Sequence, residues 1–258
     1  MTVLLDLLRT ADGEVLAAGL VGGAGDTCVV LAHGFSGSSV KPAVRRIAAG
    51  LVPHASVLSY DARGHGRSTG RTTLGDREVL DVDAAVAAAR ALGFARVVTC
   101  GWSMGGATVI RHAALLGSYV AGHRIAWPPD AVVSVSATSR WFVRDTRSMR
   151  RLHRIVETRS GRLFARRVLR TSISPDGWDP LPASPEECVA DVAPLPLLVV
   201  HGDQDGYFPV AHAHALVDAA SGPVELWLEP DFAHAETGAS PDLVDRLGAH
   251  LSVLLERA

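Results

Sequence analysis

Lysine is nearly missing from this 258-residue chain: Lys41 stands alone against 24 arginines. A cluster of arginines is therefore partly a habit of the composition. Cysteine is scarce too. Cys28, Cys100 and Cys188 lie far apart and form no C-x-x-C. This excludes a disulfide framework and favours a reducing cytoplasm. Net charge is small, −2, so the chain as a whole has no nucleic-acid footprint. No window reaches 18 consecutive apolar residues, so no membrane span is expected. The opening "MTVLLDLLRT" carries Asp6 and Arg9 but no basic stretch ahead of an apolar one, and so does not read as a signal peptide.

What is present is an ordinary globular balance, 48% hydrophobic and 20% charged, in a chain long enough to bury a large core. "VLLDLLR", "TADGE" and "VLAAGLV" predict an N-terminal hairpin, and "GGAG" (22–25) a flexible turn. Short apolar runs predict buried strands at 27–34, 55–61, 96–101, 131–137, 195–202 and 223–229. Helical patterns fall between them at 75–93, which ends at Gly93, and at 104–117. The chain closes with a helix that Ser240 caps and Pro241 opens. This alternation predicts an α/β fold with a mainly parallel, eight-stranded sheet flanked by helices.

One interval breaks the alternation. Residues 138–194 show no strand signal. "MRRLHRIVE" has helical spacing, Gly161 interrupts, "RLFARRVLR" continues, and Ser184 with Glu187 forms a capping box. The expectation is a helical cap inserted into one domain, with 1–137 and 195–258 as its core. Between 138 and 170, eleven arginines face only Asp145 and Glu157, a local charge of +9. That is either a solvated outer face or an anion-attracting entrance for acidic or phosphate-bearing substrates, testable at a pair such as Arg150/Arg151. Trp141, Phe142, Met149, Leu152, Leu163 and Phe164 would wall an acyl chain or simply pack the cap.

G-x-S-x-G occurs twice, as "GWSMG" around Ser103 and "GRSTG" around Ser68. The pattern alone is weak. A nucleophile turn needs a strand just before the serine and a helix just after. Ser103 has both; Ser68 sits between loops. A serine also needs a base, and the base needs an orienting acid. In this architecture the chain order is serine, acid, histidine. "HGDQDGYFP" offers Asp203 and Asp205, and "FAHAE" offers His234, both just beyond strands, where open α/β sheets place their sites.

In these motifs the chain resembles the α/β-hydrolase superfamily over nearly its whole length, in its serine esterase and lysophospholipase-like branch. "HGFSG" (33–37) is similar to the oxyanion loop, and "DARGHGRS" to the loop after the next strand, which makes Ser68 a bystander. "GWSMGG" is similar to the nucleophile turn. "HGDQDGYFP" is similar to the acid loop, whose catalytic aspartate stands four residues after the histidine: Asp205, not Asp203. "FAHAE" is similar to the histidine loop, with Ala233 where glycine often stands. The resemblance implies Ser103, Asp205 and His234 as catalytic residues, and the backbone N–H groups of Phe35 and Met104 as oxyanion donors. Trp102, Trp141, Phe142 and Phe208 are the expected substrate contacts.

The remaining candidates read blandly. His33 and His201 end strands, and His65 holds a loop. His212 and His214, two apart on a helix, share no face for a metal. "HAE" suggests a zinc deaminase only with a P-C-x-x-C that is absent. "GGAG" lacks the lysine of a phosphate loop. No metal or cofactor is expected. The leading function is hydrolysis of a small-molecule ester or thioester. The alternatives are lyase or cofactor-free haloperoxidase-like chemistry with the same residues, or a non-catalytic binding protein.

Overall fold

The computed structural model describes residues 2–3, 7–23 and 25–257. Its core is an eight-stranded sheet. In spatial order the strands are Thr2–Val3, Ala18–Val21, Ser56–Tyr60, Thr27–Ala32, Arg96–Trp102, Ala131–Val135, Leu197–Gly202 and Val224–Glu229. The first two run antiparallel to their neighbours; the others are parallel. The central strands are apolar on both faces because helices cover both. Cys28, Val30, Val97 and Val132 pack toward the helices Glu78–Ala91 and Met104–Ala114. Val29, Val98, Cys100 and Val133 pack toward Pro42–Leu51 and Pro241–Leu255.

The expected N-terminal hairpin forms in two pieces: Leu8–Arg9 pairs with Val15–Leu16, and on the main sheet Thr2–Val3 pairs with Ala18–Val21, both antiparallel. Residues 4–6 of that expectation, and Ala24 of "GGAG", lie outside the described residues. The closing helix has Ser240 accepting the Leu243 N–H at 3.1 Å, and Gly93 follows the Glu78–Ala91 helix with φ +91°, a left-handed stop suited to glycine.

Strand order positions the site. From Thr27–Ala32 the chain moves outward to Ser56–Tyr60, then crosses back to Arg96–Trp102 on the other flank. The loops leaving Thr27–Ala32 and Arg96–Trp102 therefore diverge at a topological switch point, where open α/β sheets leave a crevice. Ala32 stands opposite Gly101 across it.

Helices fill the interval between Ala131–Val135 and Leu197–Gly202. The longest is Arg147–Glu157, capped by Thr146. A second, Arg159–Phe164, starts from Thr158, whose side chain accepts the Gly161 N–H at 3.0 Å. The break is thus at Thr158, a capping residue, and Gly161 lies inside the next helix. A π-turn at Ala165–Leu169 follows. Arg111, buried in the helix behind Ser103, donates to the Ala183 carbonyl of this layer and to the carbonyls of Gly75 and Asp76, just ahead of Glu78–Ala91. Thr146 Oγ1 donates to the Tyr207 carbonyl at 3.0 Å, which ties the cap to the loop carrying Asp205.

Candidate active site

Ser103 occupies the turn between Arg96–Trp102 and Met104–Ala114 with φ +53° and ψ −114°. A non-glycine residue held at positive φ is strained and persists only where its surroundings fix it. Here the Ser103 N–H donates to Val135 O at 2.8 Å. The turn also demands small neighbours: a Cβ on Gly101 would overlap the Gly105 carbonyl, and one on Gly105 would overlap Ala32 O.

Ser103 Oγ lies 2.9 Å from His234 Nε2, and His234 Nδ1 lies 2.7 Å from Asp205 Oδ2. The three come from loops 29 and 131 residues apart in sequence from His234. Asp205 is a full acceptor, since its other oxygen takes the N–H groups of Tyr207 and Phe208 at 2.8 and 3.0 Å. Burial alone would raise its pKa, but the bond to His234 and these amides hold it below the ordinary carboxylate value. Tyr207 stacks on the His234 ring at 4.3 Å between centroids, and Phe208 meets it edge-on at 5.5 Å. Asp203 points elsewhere, accepting the Asp231 N–H at 2.8 Å.

Phe35 lies in a turn closed by Gly37 N–H to Gly34 O, 2.9 Å. His33 Nε2 accepts the Ala62 N–H at 3.0 Å, so its Nδ1 carries the proton and donates to Gly34 O at 2.7 Å. The Gly34 carbonyl and the Phe35 N–H belong to one planar trans peptide and point opposite ways. Holding the carbonyl therefore aims the Phe35 N–H away from these donors. Among the described residues, neither it nor the Met104 N–H, first in its helix, has an acceptor.

A cavity of about 690 Å³, counting open solvent at its mouth, lies beside Ser103. Trp141, Phe142 and Phe208 line it together with Phe35 and Met104. Met149, Leu152, His153 and Val156 supply one face of the Arg147–Glu157 helix, the spacing of an apolar helical stripe. Leu74 and Trp178, both unassigned from sequence, also line it. Trp178 packs against Trp141 at 4.9 Å between centroids, tilted by 46°, and donates to Thr73 O at 2.6 Å. A tryptophan in a segment without strand signal was its only mark.

Two expectations are corrected here. Trp102 is fully buried and does not line the cavity; it points into the opposite helical layer with Cys100 and Leu243. Leu163 and Phe164 also miss the cavity: they lie on the solvent side of Arg159–Phe164, 47% and 46% exposed, while Ala165 after them is buried. The arginines of Arg147–Glu157 lie on its outward side, and Arg140 alone of them all reaches the cavity among the described residues.

Other titratable groups serve the frame. Ser68 Oγ donates to Asp61 O and accepts the Ala17 N–H at 2.9 Å. Burial pushes the thiols of Cys28 and Cys100 up to about 12 and that of Cys188 to about 11, so none is a ready thiolate. No group of His, Cys, Asp or Glu among the described residues could hold a metal ion, and no helix among them is long and apolar enough to cross a membrane. Burial, with the nearby His33, lowers His65 to about 3; burial, with Arg140, lowers His212 to about 4. Each is neutral when folded and protonates more readily when unfolded. Their stabilisation is complete above the unfolded histidine value, about 6.5, and is lost as pH falls toward their folded values. Chemical denaturation should show stability falling between about pH 6.5 and 4 with a proton uptake on unfolding that His212→Gln reduces. An unchanged pH slope in that variant would contradict the assignment.

Residues 29–256 match the model of the alpha/beta hydrolase family, and the chain belongs to it. A mouse relative, serine hydrolase BPHL, is 27% identical over 221 residues, covering 82% of this chain and 74% of that protein. The esterase Pf2001 of Pyrococcus furiosus superposes with a TM-score of 0.72 at 20% identity, over 100% of this chain and 92% of the other. Est1E of Butyrivibrio proteoclasticus, solved with ferulic acid bound, gives 0.64 at 22% identity over 98% and 100% of the two chains.

Proposed function

We propose that this chain is a serine hydrolase that cleaves a small carboxylic ester or thioester through an acyl-enzyme. The unbroken chain of contacts from Ser103 Oγ through His234 to the buried Asp205, at the wall of an apolar cavity, carries this reading. His234 Nε2 takes the Ser103 proton as Oγ attacks the acyl carbon. Asp205 holds the proton on Nδ1 and stabilises the imidazolium. The N–H groups of Phe35 and Met104 receive the charge that develops on the carbonyl oxygen, each worth about 3–4 kcal/mol if removed singly. The imidazolium then protonates the leaving group. Water, activated by the same ring, releases the acid. No step calls for a metal or cofactor.

The cavity wall favours an apolar acyl group. The expected result with p-nitrophenyl acetate, butyrate and octanoate is turnover, with covalent labelling of Ser103 by a fluorophosphonate. Labelling without turnover of any ester or acyl-CoA would move the chain to lyase or haloperoxidase-like chemistry; no labelling would leave a binding protein. The outward arginines call for a paired substrate. Arg150 is held by the carbonyls of Arg144 and Asp145, so Arg151 and Arg154 make the cleaner test. Replacing both by alanine should lower kcat/KM severalfold for an acyl-CoA thioester at low salt and leave a neutral ester of equal acyl length unchanged. The difference should vanish as salt shortens screening to about 8 Å and below. Equal behaviour of the two substrates would leave these charges as solvated surface.

A further inference from the structure

The histidine loop "FAHAE" ends in a residue that the chemistry above does not use. Glu236 Oε1 accepts the backbone N–H of Gly34 at 2.6 Å, across 202 residues of sequence. We infer that Glu236 is a positioning residue for the oxyanion hole: its carboxylate ties the loop that carries the Phe35 N–H to the loop that carries His234. The inference rests on the serine hydrolase reading given above.

The need for such a tie follows from Gly34. A Cβ there would stand 3.1 Å from Ser103 Cβ and 3.3 Å from Trp102 O. The oxyanion loop passes so close to the nucleophile that a side chain has little room. Glycine, however, is the residue whose backbone is least restrained, and it stands immediately before the proposed donor. Two peptide planes meet at its Cα. The plane ahead, Gly34–Phe35, is held through its carbonyl by His33 Nδ1 and Gly37 N. The plane behind, His33–Gly34, is held through its N–H by Glu236. With both planes fixed, neither φ nor ψ of Gly34 is free, and the direction of the Phe35 N–H is set before substrate arrives. Catalysis by such donors depends on this preorganisation.

The anchor is itself firm. Ala235, between His234 and Glu236, donates its N–H to Ser136 Oγ at 3.1 Å, and Gly238 N–H closes on His234 O at 3.2 Å. The partner of Glu236 is a neutral amide rather than a cation, and Asp205, not Glu236, contacts the His234 ring. An acceptor atom at this place therefore suffices, and a formal charge is not required.

The test compares Glu236→Ala with Glu236→Gln, whose side-chain oxygen can still accept the Gly34 N–H. Rates are taken per active site titrated with a fluorophosphonate, and thermal midpoints are measured separately. Loss of an oxyanion donor outright costs about 10²–10³ in kcat. A misaimed one should cost less, about tenfold for Glu236→Ala, with KM for p-nitrophenyl butyrate and the acid limb of the pH–rate profile unmoved. The second-order rate of fluorophosphonate labelling should fall in parallel, since phosphonylation places charge on the same oxygen. Glu236→Gln should restore both rates to within about twofold. The inference is overturned if Gln is as impaired as Ala, if the pH profile shifts, or if Ala lowers only the thermal midpoint. Turnover surviving in Ser103→Ala would instead sink the serine hydrolase reading, whatever Glu236 does.

Discussion

Ser103→Ala should abolish turnover, with a loss of roughly 10⁴-fold or more, while Ser68→Ala keeps kcat. Both serines sit in the same five-residue pattern, and only their surroundings separate them. Ser103 is strained at φ +53° and its hydroxyl faces the His234 ring at 2.9 Å. Ser68 spends its hydroxyl on Asp61 O and on the Ala17 N–H, which brace the loop after Ser56–Tyr60. Removing it leaves one buried amide partly unsatisfied and should cost about 1–2 kcal/mol of stability. Steady-state rates on p-nitrophenyl butyrate, beside chemical denaturation of each variant, separate the two effects. A folded Ser68→Ala protein without activity would reverse the assignment.

Asp205→Asn should cost about 10⁴-fold in kcat, by the general behaviour of such triads. The reason is visible in the partners. The groups hydrogen-bonded to Asp205 are all donors: His234 Nδ1, and the N–H groups of Tyr207 and Phe208. A carboxylate accepts all three. An asparagine has one oxygen and one NH₂, so either the amides or the imidazole must face a donor. Turned one way it frees the two backbone amides from their acceptor; turned the other it forces the proton onto His234 Nε2, where the ring can no longer take one from serine. Asp203→Asn is the control, because its oxygen serves a single backbone N–H, that of Asp231, and asparagine can do the same. Equal losses at 203 and 205 would undo the distinction.

Much of this architecture was legible because buried parallel strands are short apolar runs between turns, and Thr27–Ala32 and Leu197–Gly202 lie inside two of them. The approach of Ser103, Asp205 and His234 could be anticipated only through motif order, since no local rule joins residues 131 positions apart. Trp102 was misread for a physical reason. In a sheet covered on both faces both sets of alternate residues are apolar, so hydrophobicity does not tell which face meets the site. Adjacent in sequence to Ser103, it points away. Leu163 and Phe164 are a different case: an apolar residue in a helical pattern does not state which way it faces, and these two face solvent. Glu236 has no signal of its own in the sequence, because its partner, the Gly34 N–H, lies 202 residues away.

The scarcity of lysine has a practical consequence. Lys41 is exposed, and its ammonium donates to the Ser36 carbonyl inside the turn that aims Phe35. Among the side chains, amine-directed chemistry thus has a single address, and that address is bonded to the turn that carries Phe35. Coupling a dye or a resin through lysine would alter the protein beside the turn that carries Phe35. A lone lysine makes this protein simple to modify at one point and, at that same point, sensitive to the modification.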